Sequence, residues 1–187
     1  MKPGWLVFIL SLLMCGLCNA ESSWARELSR LNNSIEKTYK KKYGVELIGT
    51  GGGGVQGFEL YSPQFASYAP TTKEDGTILL LTLMEDLFEK INNNKILVDG
   101  MRSFPFRTEN LGVVICFFKS DGNFVNKGQL ESIGVSSNRI RYGYHVGETK
   151  QMDWKYEAIS SVLCSVDPLK KRFPYLWECV EKSGKKQ

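Results

Sequence analysis

Histidine is almost missing from this chain, with His145 the only one. One imidazole cannot build the His/Cys clusters that close a structural zinc site, and it leaves proton transfer near neutral pH to a single side chain. No lysine followed by serine or threonine closes a glycine run, so there is no P-loop. Beyond the first twenty residues no apolar run approaches the roughly 20 residues that a membrane-crossing helix needs. A strong excess of one charge is lacking too. Lys+Arg number 24 against 20 Asp+Glu, a net +4, well short of the concentrated basic face of a nucleic-acid binder. No internal repeat and no long linker divides the chain. No residue set meets a catalytic, cofactor or metal motif.

What is present begins with an export signal. Lys2 supplies a cationic start, and Leu6 to Leu17 (LVFILSLLMCGL) an apolar run of about a dozen residues. Cys18-Asn19-Ala20 puts small residues at the positions a signal peptidase reads, and the polar Glu21-Ser22-Ser23 follows. Residues 1–20 are therefore read as a cleaved signal peptide, cut between Ala20 and Glu21, and residues 21–187 as a single α+β domain. Met14 and Leu17 precede Cys15 and Cys18, where a lipid-attachment signal wants Gly, Ala or Ser, which argues against lipidation. The expected destination is the periplasm or the outside of the cell, with no transmembrane segment in the mature chain. A domain of this size can bury roughly 70% of its unfolded surface and stand on a hydrophobic core.

Export changes the meaning of the three cysteines that follow the signal. Cys116 lies in the apolar run Val113 to Phe118, where a thiol behaves as a small core residue. Cys164 and Cys179 lie near the C-terminus and can pair in an oxidising compartment. Closing that loop would stabilise the chain by roughly 3 kcal/mol in the chain-entropy picture. Spacing alone leaves the pairing open.

The periodicity of the chain gives its elements. Trp24, Leu28, Leu31 and Ile35 make one narrow helical stripe after Ser22 and Ser23, with Lys40, Lys41 and Lys42 in the last turn and Gly44 as the stop. Val45 to Ile48 and Val55 to Tyr61 read as strands, and Ser62-Pro63 and Pro70 as breaks. Thr71-Thr72-Lys73-Glu74 has the pattern of a capping box. It opens the strongest helix, whose Leu80, Leu83, Met84, Leu87, Phe88 and Ile91 oppose Glu85, Asp86, Glu89 and Lys90, and which Asn92-Asn93-Asn94 ends. Leu111 to Lys119 reads as a buried strand and Ser120 to Asn123 as a turn. Leu130 to Val135 and Arg139 to Val146 form a hairpin about Ser136-Ser137-Asn138. Trp154 to Val166 and Tyr175 to Glu181 read as C-terminal helices. The short later connections imply antiparallel pairing. The expected fold is a two-layer α+β sandwich, a mainly antiparallel sheet packed by the central amphipathic helix, with C-terminal helices.

Seven features invite a functional reading. Gly49-Thr50-Gly51-Gly52-Gly53-Gly54 satisfies G-x-G-x-x-G but leads into a strand rather than a helix, so no helix N-terminus waits for a phosphate. An inter-strand loop that lets a partner approach closely is the expectation. His145 falls on the Arg139/Arg141 side of its strand, toward solvent. Glu85, Asp86 and Glu89 read as a solvated helix face. Asp121-Gly122-Asn123 reads as a turn, since it lacks the alternating ligands of a calcium loop. Phe104-Pro105-Phe106-Arg107 is either a plug at the end of the core or an exposed recognition element. Lys37, Lys40, Lys41 and Lys42, with Arg26, Arg30 and Lys170-Lys171-Arg172, are either solubilising charge or a weak contact for an anionic surface. Asn32-Asn33-Ser34 is a glycosylation sequon, meaningful only in a eukaryotic source.

Leu47-Ile48-Gly49-Thr50-Gly51-Gly52-Gly53, the helix through Phe88 and Ile91-Asn92, Phe104-Pro105-Phe106 with Asn110, and Lys119-Ser120-Asp121-Gly122 together resemble a group of small uncharacterised exported bacterial proteins. The similarity spans Leu47 to Gly122. It implies a bacterial origin and a shared fold, and no activity. The leading expectation is a non-enzymatic exported protein that binds a protein, lipid or envelope component through the glycine loop and the adjoining strand edge. The alternative is an exported hydrolase or transferase whose acidic and cysteine residues converge only in the fold.

Overall fold

The computed structural model describes residues 22–54, 57–102, 104–147, 152–165 and 172–178. Residues 1–20, expected as a signal peptide, with the expected Ala20–Glu21 junction, the basic residues Lys170-Lys171, and Cys179 lie outside the described residues, as does the side chain of Cys164. The Cys164–Cys179 pairing therefore lies outside them too.

The narrow stripe at the start becomes helix α1 (Ser23–Tyr43), continued by one more turn so that Ile35 and Tyr39 are its buried residues. Gly44 closes it with φ 70°, its N–H donating to the Lys40 carbonyl. That left-handed conformation costs a residue with a Cβ and costs glycine little.

The glycine run is not a loop. It forms most of strand β1 (Glu46–Gly53), paired antiparallel with β2 (Leu60–Ser67), Thr50 facing Pro63 and Gly52 facing Tyr61. Strand pairing is made by backbone groups, so residues without side chains can supply it when a neighbour holds the register. At Gly52 glycine is obligatory: φ is 123° and a Cβ there would sit 2.1 Å from the Leu60 carbonyl oxygen. Only Gly54 falls beyond the strand. Nor does Pro63 break β2. Pairing with the next strand begins one residue later, at Gln64, so the missing N–H leaves no gap in that ladder.

Helix α2 (Lys73–Asn92) is capped by Thr72, whose hydroxyl accepts from the Asp75 N–H, one residue later than the Thr71/Glu74 box expected. Its wide apolar face buries Leu80, Leu83, Leu87, Phe88 and Ile91, each burial stabilising by about 1.5–3 kcal/mol. The asparagines end α2 and also begin α3 (Lys95–Asp99), because the Asn94 side chain accepts from the Ile96 and Leu97 N–H groups. A single 3-10 turn (Thr108–Asn110) then leads into β3 (Val114–Phe117), parallel to β2. This β2–α2–β3 crossover makes the one parallel pairing between strands among the described residues.

β4 (Leu130–Ser136) and β5 (Arg139–His145) form the expected hairpin. Ser137 and Asn138 turn it with φ of 49° and 63°, the positive pair that matches the twist of flanking strands. The region after it differs from expectation. Residues 152–158 are not helical; they are β6 (Met152–Ala158), paired along all of β5, and the helix α4 (Ile159–Ser165) begins only afterward. Met152, Trp154 and Tyr156 alternate with Asp153, Lys155 and Glu157, so the segment has a strand period as well as the helical one through Ala158, Ile159 and Val162. The open edge of β5 decides between them. A short helical stretch over 174–178 follows.

The sheet runs β1-β2-β3-β4-β5-β6. Phe65, Ile115, Ile133 and Tyr142 lie in register across four strands and are all buried. Tyr39 of α1 stacks on Phe65 at 5.8 Å and Thr77 of α2 meets the Tyr142 hydroxyl, so both long helices cover this face. The opposite face carries Ala66, Cys116, Ser132, Gly143 and Trp154 in register. The fold is thus a two-layer α+β arrangement on a mostly antiparallel six-stranded sheet.

Candidate functional site

Of Glu85, Asp86 and Glu89 on α2, the first two are not on a solvated face. Asp86 lies under α1, its side chain only 9% exposed. Tyr39 donates to its Oδ2, Lys42 Nζ (2.7 Å) and the Tyr43 hydroxyl (2.8 Å) donate to Oδ1, and Lys90 Nζ lies 3.2 Å from Oδ2. Burial pushes the carboxyl up, but donation from Lys42, Tyr39 and Tyr43 outweighs it and holds Asp86 at about 2. Burial and the same carboxylate push the Tyr39 hydroxyl far above its ordinary range. A carboxylate this fully occupied has no lone pair to offer a substrate; it ties α1 to α2. Glu85 is also engaged. Its two oxygens accept the Tyr175 and Leu176 N–H groups at 2.7 and 2.9 Å, which holds the C-terminal helical stretch whose Phe173 and Leu176 enter the core. Burial raises its carboxyl above the ordinary value, opposed by those two N–H groups. Of the three, only Glu89 is exposed.

Chemistry gathers on the other side of the sheet, around His145. Nδ1 of His145 lies 2.9 Å from Glu131 Oε2. The imidazole does not face open solvent; its side chain is 22% exposed and Glu131 is 14% exposed. Glu131 reaches it because of a β-bulge: Leu130 pairs with Tyr144 but Ser132 pairs with Gly143, leaving Glu131 as the extra residue. An extra residue re-aims a side chain that a regular ladder would place elsewhere. The Phe124 ring stacks on the imidazole, with centroids 6.2 Å apart and planes at 7°.

Phe124 comes from the connection between β3 and β4, which is laced down at each end. Lys119 N–H donates to the Asn123 carbonyl, Gly122 N–H to that of Lys119, and Gly128 N–H to that of His145. The Asp121 carboxylate accepts from both nitrogens of Asn123, so the Asp121-Gly122-Asn123 turn stands as expected. Val125 is buried and Phe124 is 57% exposed. The result is an open cavity of about 860 Å³ lined by the apolar Phe124, Val125 and Met152, by Glu131 and His145, and by Lys119, Lys127 and Asn126. Neither lysine makes an ion pair among the described residues. No serine, threonine or cysteine is among the described lining residues.

Cys116 lies outside that lining, partly buried on the same sheet face. Burial and the neighbouring Glu131 raise its thiol above the ordinary value, against Arg141, so it is a poor thiolate. The Phe104-Pro105-Phe106 turn divides between its two readings: Phe106 is buried, stacked on Phe58 at 5.5 Å, while Phe104 is 61% exposed. Of the basic residues of α1, Lys40 pairs with Glu46 and Lys42 with Asp86, Arg30 pairs with Glu27, and Lys37 and Lys41 are exposed without an ion pair among the described residues. Residues Gly49, Thr50, Gly51, Gly52 and Gly53 form the outer edge of the sheet rather than a loop.

Among the described residues no group of three His, Cys, Asp or Glu side chains could hold a metal ion, and no helix is long and apolar enough to cross a membrane. Comparison of the chain with protein-family models, with curated proteins and with solved structures finds no match. The strand alternation placed His145 toward solvent and did not single out Glu131, Phe124, Lys119 or Lys127. Phe124 was the one legible signal, a large apolar residue in a polar turn region.

Proposed function

We propose that the chain is an exported, non-enzymatic binding protein of bacterial origin whose ligand seats in the Phe124–His145 cavity rather than along the glycine run. One observation carries the reading: the groups an enzyme would need are dispersed. Asp86 is saturated beneath α1, Cys116 is outside the cavity with its thiol disfavoured as a thiolate, and His145 is held by Glu131 with no nucleophile in the described lining. What lines the cavity instead is Phe124, Val125 and Met152 among charged and polar side chains, a concave mixed surface with apolar area for a ligand and polar groups to orient it. Export follows from the pattern of residues 1–20, and bacterial origin from the resemblance of Leu47 to Gly122. A weak contact of Lys37 and Lys41 with an anionic envelope surface belongs to the same proposal.

The rival, an exported hydrolase or transferase, would start from the Glu131–His145 pair, since a carboxylate on Nδ1 orients an imidazole as a general base for water. Both are tested on the secreted protein. Its intact mass should correspond to a chain beginning at Glu21; a mass retaining Met1 to Ala20 removes the export half. A thermal-shift screen of small envelope and medium compounds should find ligands that raise the melting midpoint of the parent and not of Phe124→Ala. Turnover of activated esters or glycosides that vanishes in a folded His145→Ala variant would replace the binding reading with the rival.

A further inference from the structure

We infer that the cavity is built for a small organic anion carrying a flat ring, an aromatic carboxylate or sulfonate; this rests on the binding reading above. The ring half of the assignment comes from Phe124. One face of it is stacked on His145, yet 57% of the residue stays exposed, which leaves a flat apolar surface that lines the cavity with Val125 and Met152. Such a surface in a soluble domain favours an aromatic guest, which stacks offset or edge-on at ring separations of about 4.5–7 Å. Phe124 is also the end of a wider band of rings, since it lies 6.0 Å from Phe118, which lies 5.8 Å from Tyr68.

The charge half comes from an accounting of the lining groups. Glu131 is engaged by His145, and Asp121, just outside the lining, is engaged by both nitrogens of Asn123. Neutral donors do not cancel the Asp121 charge, which draws on Lys119; among the described lining residues Lys119 and Lys127 stand against the single carboxylate of Glu131, an excess of positive charge. The Asn126 carboxamide, without a partner among the described residues, adds a donor for the same anionic head. A cavity of about 860 Å³ lies in the range that takes drug-sized molecules, roughly 300–1,000 Å³. The connection is held by backbone hydrogen bonds at Lys119, Gly122 and Gly128, so the site exists before the ligand arrives and little ordering opposes binding.

The test uses two fluorescent probes that share one ring system, anilinonaphthalene sulfonate and uncharged anilinonaphthalene, on protein purified after expression of the full chain. The sulfonate should bind about tenfold more tightly than the uncharged ring, and Lys119→Gln and Lys127→Gln should each weaken the sulfonate by about three- to tenfold while leaving the uncharged probe unchanged. Phe124→Ala should weaken both. Near-ultraviolet circular dichroism and the melting midpoint must match the parent in every variant, which separates a lost site from a loosened fold. Equal binding of the two probes, or sulfonate binding indifferent to both lysines, overturns the anion assignment and leaves the cavity a site for neutral rings. Failure of both probes to bind overturns the assignment together with the binding reading beneath it.

Discussion

Two carboxylates, one on each face of the sheet, meet opposite fates. Asp86 on the helix-covered face receives two tyrosine hydroxyls and two lysine ammonium groups. Glu131 on the other face is bound by one imidazole beside an open cavity. Both are largely withdrawn from water. What separates them is completeness: the donors around Asp86 end at Asp86 and close the space, whereas the groups around Glu131 leave two lysines and an aromatic ring facing outward. A buried charge with every partner supplied is structural, and a partly satisfied cluster at a concave surface is where a ligand has something to do.

The largest effect should come from emptying the first centre. Asp86→Ala strands the buried Tyr39 hydroxyl and the half-buried Tyr43 hydroxyl of α1 and should cost about 2–4 kcal/mol in chemical denaturation; a loss below about 0.5 kcal/mol would erase the contrast between the two carboxylates. Its acid response should follow. The folded carboxyl is held at about 2, below the ordinary 3.8, so the folded state favours the ionised form. That stability is full above the unfolded value and is lost as pH falls from the ordinary range toward about 2, a loss of about 2 kcal/mol. Asp86→Asn should remove that component from a stability-versus-pH profile.

Glu85 should act with the opposite sign. Its carboxyl is raised, so its ionisation opposes folding and its contribution declines as pH rises through the folded value. Glu85→Gln should therefore make the acid limb steeper, while loosening the C-terminal stretch by about 1 kcal/mol through weaker acceptance from Tyr175 and Leu176. Faster hydrogen exchange over 173–178 is the measurement; unchanged protection there would remove Glu85 from that role. At the second centre, Glu131→Gln should change stability by less than about 1 kcal/mol and yet reduce probe binding, since His145 and the Phe124 ring stacked on it lose their anchor. A large stability loss without loss of binding would mean that Glu131 belongs with Asp86. The smallest effect is expected on the helix surface: Lys37→Gln or Lys41→Gln, each alone, should weaken association with anionic vesicles by only about fivefold, in keeping with roughly 1 kcal/mol per basic group near such a surface.

How much of this was legible in the chain differs element by element. The α2 helix, the Ser137-Asn138 hairpin and the Gly44 stop could be read because each depends on residues a few positions apart. The glycine run and residues 152–158 were misread because a strand is completed by a partner, and both lie at the edges of the sheet, where weak local preference yields to the neighbouring ladder. Asp86 and Glu85 were placed on the correct helix face for their spacing and given the wrong surroundings, since periodicity says nothing of what else packs there. Glu131 was invisible as a site residue because a bulge, not the strand period, aims it.

The sequence by itself determined an α+β chain with a strong central helix, a late hairpin and one histidine on the side of the sheet away from that helix. Only the tertiary structure decided that Asp86 is a saturated clamp, that β6 completes the sheet, and that Phe124, Lys119 and Lys127 gather around the Glu131–His145 pair. The physical reason is range: turns, caps and amphipathic periods are set by neighbours along the chain, whereas hydrogen-bond saturation, a bulge and the walls of a cavity are set by residues brought together from distant positions.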